Sequence, residues 1–128
     1  VGLVPLPKAK ALLTAEFDDL LDALGATPRV LAHGPAAVEV MDDFILRHTR
    51  DNAGLDALRR TIVQRDGSAL LCIEFYADRA DELPPRLEAI ANRIAALSDA
   101  VTRRYFALLP AAQAVGLEGA EPALRGAA

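Results

Sequence analysis

Apolar positions alternate with others in two stretches of nearly the same wording. Leu12-Leu13-Thr14-Ala15-Glu16-Phe17 returns as Leu70-Leu71-Cys72-Ile73-Glu74-Phe75. Period-two alternation marks β-strands. It puts Leu13, Ala15 and Phe17 on one face of the first strand, with Leu12, Thr14 and Glu16 on the other. Each copy is soon followed by Asp and a segment with helical spacing. A strand-helix unit used twice predicts a pseudo-symmetric sheet carrying helices on one face.

Between and after the copies the pattern predicts six further elements. Asp18 or Asp19 caps a short helix that runs through Leu24 and stops at Gly25. Thr27 to His33 shows no clear period, and Gly34-Pro35 reads as a turn. Val38 and Val40 alternate within a second strand, Ala37 to Asp42; the rival reading is a helix from Pro35 through Arg50. Phe44 to Arg60 spaces its apolar residues helically but is interrupted at Asp51-Asn52-Ala53-Gly54, giving two short helices or one broken one. Asp66-Gly67 is a turn, and the third strand spans Ala69 to Tyr76. Asp81 caps the next helix, which places Pro84 and Pro85 in the first turn, where backbone N–H groups lack partners in any case. Leu83, Leu87, Ile90, Ile94 and Leu97 form its apolar stripe. A fourth strand covers Val101 to Leu108. The fold expected is α+β: a ferredoxin-like split β-α-β sandwich, an antiparallel sheet with helices on one face, and a helical insertion between strands two and three. By segment, 1–8 reads as a connector, 9–108 as the domain and 109–128 as a truncated or weakly ordered tail.

With Leu13, Ala15, Phe17, Leu71, Ile73 and Phe75 under the helices, the other face presents Leu12, Thr14, Glu16, Leu70, Cys72, Glu74 and Tyr76. That face is too apolar for water alone, so a partner or another domain is expected to cover it.

Composition narrows the function. The 128 residues are 52% hydrophobic with a net charge of −4, which suits one core-forming domain and argues against a nucleic-acid partner. Apolar runs such as Ala69 to Ile73 fall far short of the roughly 20 residues of a membrane helix. One cysteine excludes an internal disulfide and a cysteine-built metal centre, and makes a cytoplasmic setting the default. The opening at Val1 inside an apolar stretch suggests a piece of a longer protein.

Candidate chemistry is sparse. Glu16 and Glu74 resemble a carboxylate pair, but the antiparallel strands separate them, and acid–base work needs both groups around one bond. His33 and His48 lack metal-ligand spacing. Asp42-Asp43 beside Glu39 invites a cation but reads more simply as capping carboxylates. Cys72 sits in an apolar strand with nothing near in sequence to activate it. Arg103 and Arg104 fall on opposite faces of strand four. No catalytic residue and no metal site is assigned.

Three segments nevertheless resemble one family in order. They are Leu3-Val4-Pro5-Leu6-Pro7-Lys8 with Phe17-Asp18-Asp19-Leu20-Leu21-Asp22-Ala23-Leu24, then Gly34-Pro35-Ala36-Ala37-Val38-Glu39-Val40-Met41-Asp42, then Ile73-Glu74-Phe75-Tyr76. Together they are similar to the C-terminal cap domain of FAD-linked oxidases, such as glycolate oxidase FAD subunits and flavin-dependent D-lactate dehydrogenases, over about residues 1 to 108. The resemblance implies a parent flavoprotein oxidising a small D-2-hydroxy acid. FAD would be held mainly by an FAD-binding domain of the same parent chain, and an electron-acceptor subunit is a possible partner. The parent would be cytoplasmic or peripheral to the inner membrane. Glu39 and Asp42 are the only family-motif positions that transfer, with a structural role. The family's Trp-x-x-Arg has no counterpart, since the chain lacks Trp, so no substrate-binding arginine carries over. The alternative is a stand-alone ferredoxin-like module that dimerises through its open sheet face or binds a regulatory small molecule.

Overall fold

The computed structural model describes residues 5–65, 67–96 and 102–110. Four strands, β1 (Ala9–Phe17), β2 (Ala37–Asp42), β3 (Ala69–Ala77) and β4 (Thr102–Pro110), form one sheet in the order β2-β3-β1-β4. Every neighbouring pair is antiparallel. Helix α1 (Leu20–Leu31) follows β1, and α4 (Leu83–Ala95) follows β3. Between β2 and β3 lie α2 (Asp43–His48), a 3-10 turn (Thr49–Asp51) and α3 (Ala53–Ile62). This is the ferredoxin-like split β-α-β arrangement with its insertion where the pattern places it.

The repeated strands are the central pair, and their register shows the symmetry. Thr14 and Cys72, equivalent in the repeat, are direct partners; Leu13 pairs with Ile73 and Ala15 with Leu71. A local two-fold axis therefore passes between Thr14 and Cys72. The core lies on the helix side, where Leu13, Phe17, Leu71, Ile73 and Phe75 pack under Val30 of α1 and Leu83, Leu87, Ile90 and Ile94 of α4. At about 25 cal/mol per Å² of apolar surface, this burial is the main force holding the sheet to the helices.

Helix α1 corrects the expectation of a stop at Gly25: it runs on through Gly25 and Pro28 to Leu31. Proline inside a helix forfeits one backbone bond. Packing outweighs that loss here, because Ala23, Ala26 and Val30 are buried against the sheet. The helix ends at Leu31 with Ala32 as its C-cap, and the chain then turns at Gly34, the one positive-φ glycine among the described residues (φ 63°). Residues 37–42 form the strand rather than the rival helix. The insertion is broken at Asn52, whose side chain caps α3 by accepting from Gly54 N and Leu55 N at 3.0 and 3.1 Å.

Asp81 does not cap α4. It lies in a 3-10 turn, Ala80–Glu82, where Arg79 Nε donates to it at 3.0 Å, and the helix starts afterwards at Leu83. The adjacent guanidinium claims the carboxylate and holds its pKa below the usual value. Pro84 and Pro85 do fall in the first turn. Leu83, Leu87, Ile90 and Ile94 form the buried stripe, whereas Leu97 lies outside the described residues. Asp66 of the expected turn also lies outside them; Gly67 passes so close to β1 that a Cβ would stand 2.9 Å from the Phe17 carbonyl oxygen.

Candidate functional site

The second face of the sheet is the place to look for function, and the structure revises how open it is. Thr14, Glu16, Leu70 and Cys72 are buried. Much of the cover comes from the chain itself: Leu46 of α2, with Ile62 and Val63 at the end of α3, packs on Leu70, Cys72, Leu12 and Met41. An outside partner is therefore not needed for that half.

Glu16 explains how the cover is fixed. Its carboxylate accepts from Gln64 N through Oε1 and from Arg65 N, at 2.8 Å, through Oε2. Arg65 Nη2 also donates to Asp18 at 3.0 Å. A nearly fully buried carboxylate thus clamps the chain just after α3 to the end of β1, a satisfied polar contact rather than a reactive one. The signal for this was a glutamate near the end of a strand whose other residues, Lys10 and Thr14 apart, are apolar.

At the other end of the face the sheet is uncovered. Ala37 of β2 pairs with Glu74, Glu74 with Leu12, and Tyr76 with Lys10. Tyr76 Oη donates to Glu74 Oε2 at 2.9 Å, and Lys10 Nζ stands 4.8 Å from the centre of the Tyr76 ring. Such a cation–π contact at the surface is worth about 0.5–1 kcal/mol and steadies the half-buried Lys10. Glu39, exposed on β2, is the register partner of Cys72. Burial, together with the charges of Glu39 and then Glu74, pushes the Cys72 thiol up to about 11. At neutral pH it is protonated and a poor nucleophile.

The other candidates are dispersed. Glu16 pairs with Leu70 and Glu74 with Leu12, four positions apart on β1, or about 13 Å at 3.3 Å per residue. Asp42 caps α2 by accepting from Ile45 N at 2.9 Å, and Asp43 pairs with Arg47. His48 lies against Phe44, its Nδ1 at 2.8 Å from the Phe44 carbonyl oxygen. His33 borders a shallow groove between the end of α1 and α4. Arg103 and Arg104 are the register partners of Ala15 and Thr14. Among the described residues, no group of three or more His, Cys, Asp or Glu could hold a metal.

A flavin dinucleotide needs bare backbone N–H groups for its diphosphate, typically at a helix N-terminus. Asp19, Asp42 and Asn52 fill those positions on α1, α2 and α3 with their own side chains. Pro84 and Pro85 remove N–H groups from the first turn of α4. The described residues therefore do not fit the diphosphate of FAD. What they provide is a sheet whose second face is covered at one end by the insertion and leaves Glu74 and Tyr76 uncovered at the other.

None of the curated proteins matches the chain. A family model described as FAD linked oxidases, C-terminal domain, matches residues 6–115, taking in all four strands and both repeated units. The chain belongs to the family of FAD-linked oxidase C-terminal domains.

Proposed function

We propose that this chain is the cap of a flavoenzyme that oxidises a small D-2-hydroxy acid of the D-lactate or glycolate type. Its partner is an FAD-binding domain of the same polypeptide, which holds the cofactor. The observation that carries the reading is the family match across residues 6–115, and the self-capped helix ends agree with a domain that leaves FAD to its neighbour. The surface offered to the substrate pocket is the uncovered strip of Lys10, Glu74, Tyr76 and Glu39. A substrate carboxylate is repelled by Glu39 and Glu74 and drawn towards Lys10, so the strip orients an anion rather than performing proton chemistry on it. Electrons leave to an acceptor subunit or small acceptor outside this domain.

The test uses the natural polypeptide that carries this chain. Purified and anaerobic, its flavin absorbance should bleach on addition of D-lactate or glycolate. Lys10→Gln should raise KM for that acid while largely sparing kcat, and Glu39→Gln should lower KM. A protein without flavin, or one that no D-2-hydroxy acid bleaches, overturns the assignment.

A further inference from the structure

A shallow groove runs between the end of α1 and α4. His33 lines both of its parts, so it is continuous along α4 from Pro85 to Ala96, about 16 Å at 1.5 Å per residue. Arg29 and His33 border it from the α1 side, Arg86 and Arg93 from α4. Between these cations lie Ala32, Ala89 and Ala96, exposed and too small to fill it. The chain holds 18 acidic residues against 14 Lys and Arg, yet none of the described residues lining the groove is a carboxylate.

Helix ends account for part of this. Arg29 and Arg93 each stand in the last turn of their helix, where a cation suits the carbonyl end of the dipole. The missing counter-charges need another reason. Elsewhere Arg47 pairs with Asp43, Arg59 and Arg60 with Asp56, Arg65 with Asp18 and Arg79 with Asp81. Among the described residues Arg29, Arg86 and Arg93 pair with no carboxylate. Arg86 donates instead to the carbonyl oxygens of Gly34 and Tyr76, at 3.2 and 3.3 Å, and stands 5.2 Å from the centre of the Phe75 ring. Those contacts fix the guanidinium and leave it without a counter-charge.

Spacing says what kind of anion fits. Arg86 and Arg93 are seven positions apart on one helix, or about 10 Å. The cations are strung along the groove rather than gathered round one point, which suits a row of carboxylates better than a single phosphate. A shallow groove also suits a chain laid along it better than a small molecule, which a binding site usually encloses.

We propose that the α1–α4 groove docks an acidic segment of a partner protein. Its Asp or Glu side chains pair with Arg29 and Arg93, whose planar forks match carboxylates, and its backbone lies over the alanines. Arg86 and His33 add positive charge at the other end. Exposed pairs are individually weak, so docking rests on several at once and is reversible and salt-sensitive. The inference does not depend on the flavoenzyme reading and uses no flavin in its test.

The probe is hexaglutamate, which spans about 20 Å when extended and so covers the groove. Both it and the chain are net acidic, so a saturable complex requires a local match. Titrated into the isotopically labelled chain at low salt, it should shift the amide signals of Ala32, Ala89 and Ala96 with a dissociation constant of about 0.1–1 mM. Raising the salt from about 20 to 200 mM should weaken binding about tenfold. Arg29→Gln and Arg93→Gln should each weaken it about threefold, and the double variant about tenfold. Arg79→Gln removes the same charge outside the groove and should bind as the wild type does. Absence of a saturable shift at the three alanines overturns the proposal. So does an Arg79→Gln variant as weak as Arg93→Gln, which would reduce the effect to net charge. A single-stranded oligonucleotide of equal charge that binds the groove more tightly than hexaglutamate overturns it as well, because the surface would then serve nucleic acid.

Discussion

Glu16 and Glu74 hold the same place in the two repeated strands, yet they live in different worlds. Glu16 is buried and clamps the backbone of residues 64 and 65. Glu74 is half-exposed and accepts one bond from Tyr76. The strands around them are alike, so the difference comes from the insertion, which folds over one end of the sheet and leaves the other bare. Similar local sequence fixes the strand and its face. What a side chain on that face does depends on which part of the chain comes back to meet it.

Core phenylalanines at equivalent positions give the strongest test of the symmetry. Phe17 and Phe75 are both buried on the helix side, so Phe17→Ala and Phe75→Ala should each lower stability by about 3–5 kcal/mol in urea unfolding. A loss under about 1 kcal/mol at either site would break the equivalence.

Next comes the axis itself. With Cys72 raised to about 11 in the fold against an ordinary thiol value near 9, the folded chain keeps its proton where the unfolded chain has lost it. Stability is therefore unaffected below about pH 9 and falls as pH rises towards 11, by up to roughly 2–3 kcal/mol. Subtracting the alkaline profile of Cys72→Ser isolates this loss from other titrations. An identical profile in the variant would refute the burial assigned to the thiol.

The glutamates themselves should differ. Glu16→Ala should cost about 1–3 kcal/mol, since a buried acceptor of two backbone N–H groups is lost. Hydrogen exchange should quicken around residues 62–65 while β3 stays protected. Glu74→Ala should change stability by less than about 0.5 kcal/mol. Equal effects at the two sites would mean that the insertion does not distinguish them.

The smallest effect is electrostatic. Glu39→Gln removes a charge that raises the Cys72 thiol. Alkylation of Cys72 in the folded chain should become modestly faster at pH 9, with little change in the urea midpoint.

These contrasts also show what was legible in the sequence. Strand alternation gave the right faces for Leu13, Phe17, Ile73 and Phe75, because period two is a local property. The prolines at 84 and 85 marked the start of a helix for an equally local reason. The extent of α1 was hidden, since Gly25 and Pro28 argue against a helix that only the burial of Ala23, Ala26 and Val30 sustains. Asp81 misled because a cap and an ion pair compete for the same carboxylate, and Arg79 was nearer. The cover over Leu70 and Cys72 was invisible because it rests on Leu46, Ile62 and Val63 meeting them across the chain. The family was legible through ordered segments such as Pro35 to Asp42. The bare strip of Lys10, Glu74 and Tyr76 emerged only once the insertion had a place.

The two-fold axis between Thr14 and Cys72 leaves the newly made chain with an ambiguity. β1 presents to β3 almost the same edge and pattern that it would present to another β1, so two nascent chains could pair strand one with strand one in the same antiparallel register. The clamp does not share this symmetry: Glu16 holds the backbone N–H groups of residues 64 and 65, whereas its counterpart Glu74 accepts from Tyr76. The insertion enters only one half of the repeat, so the central strand pair is two-fold while its cover is not.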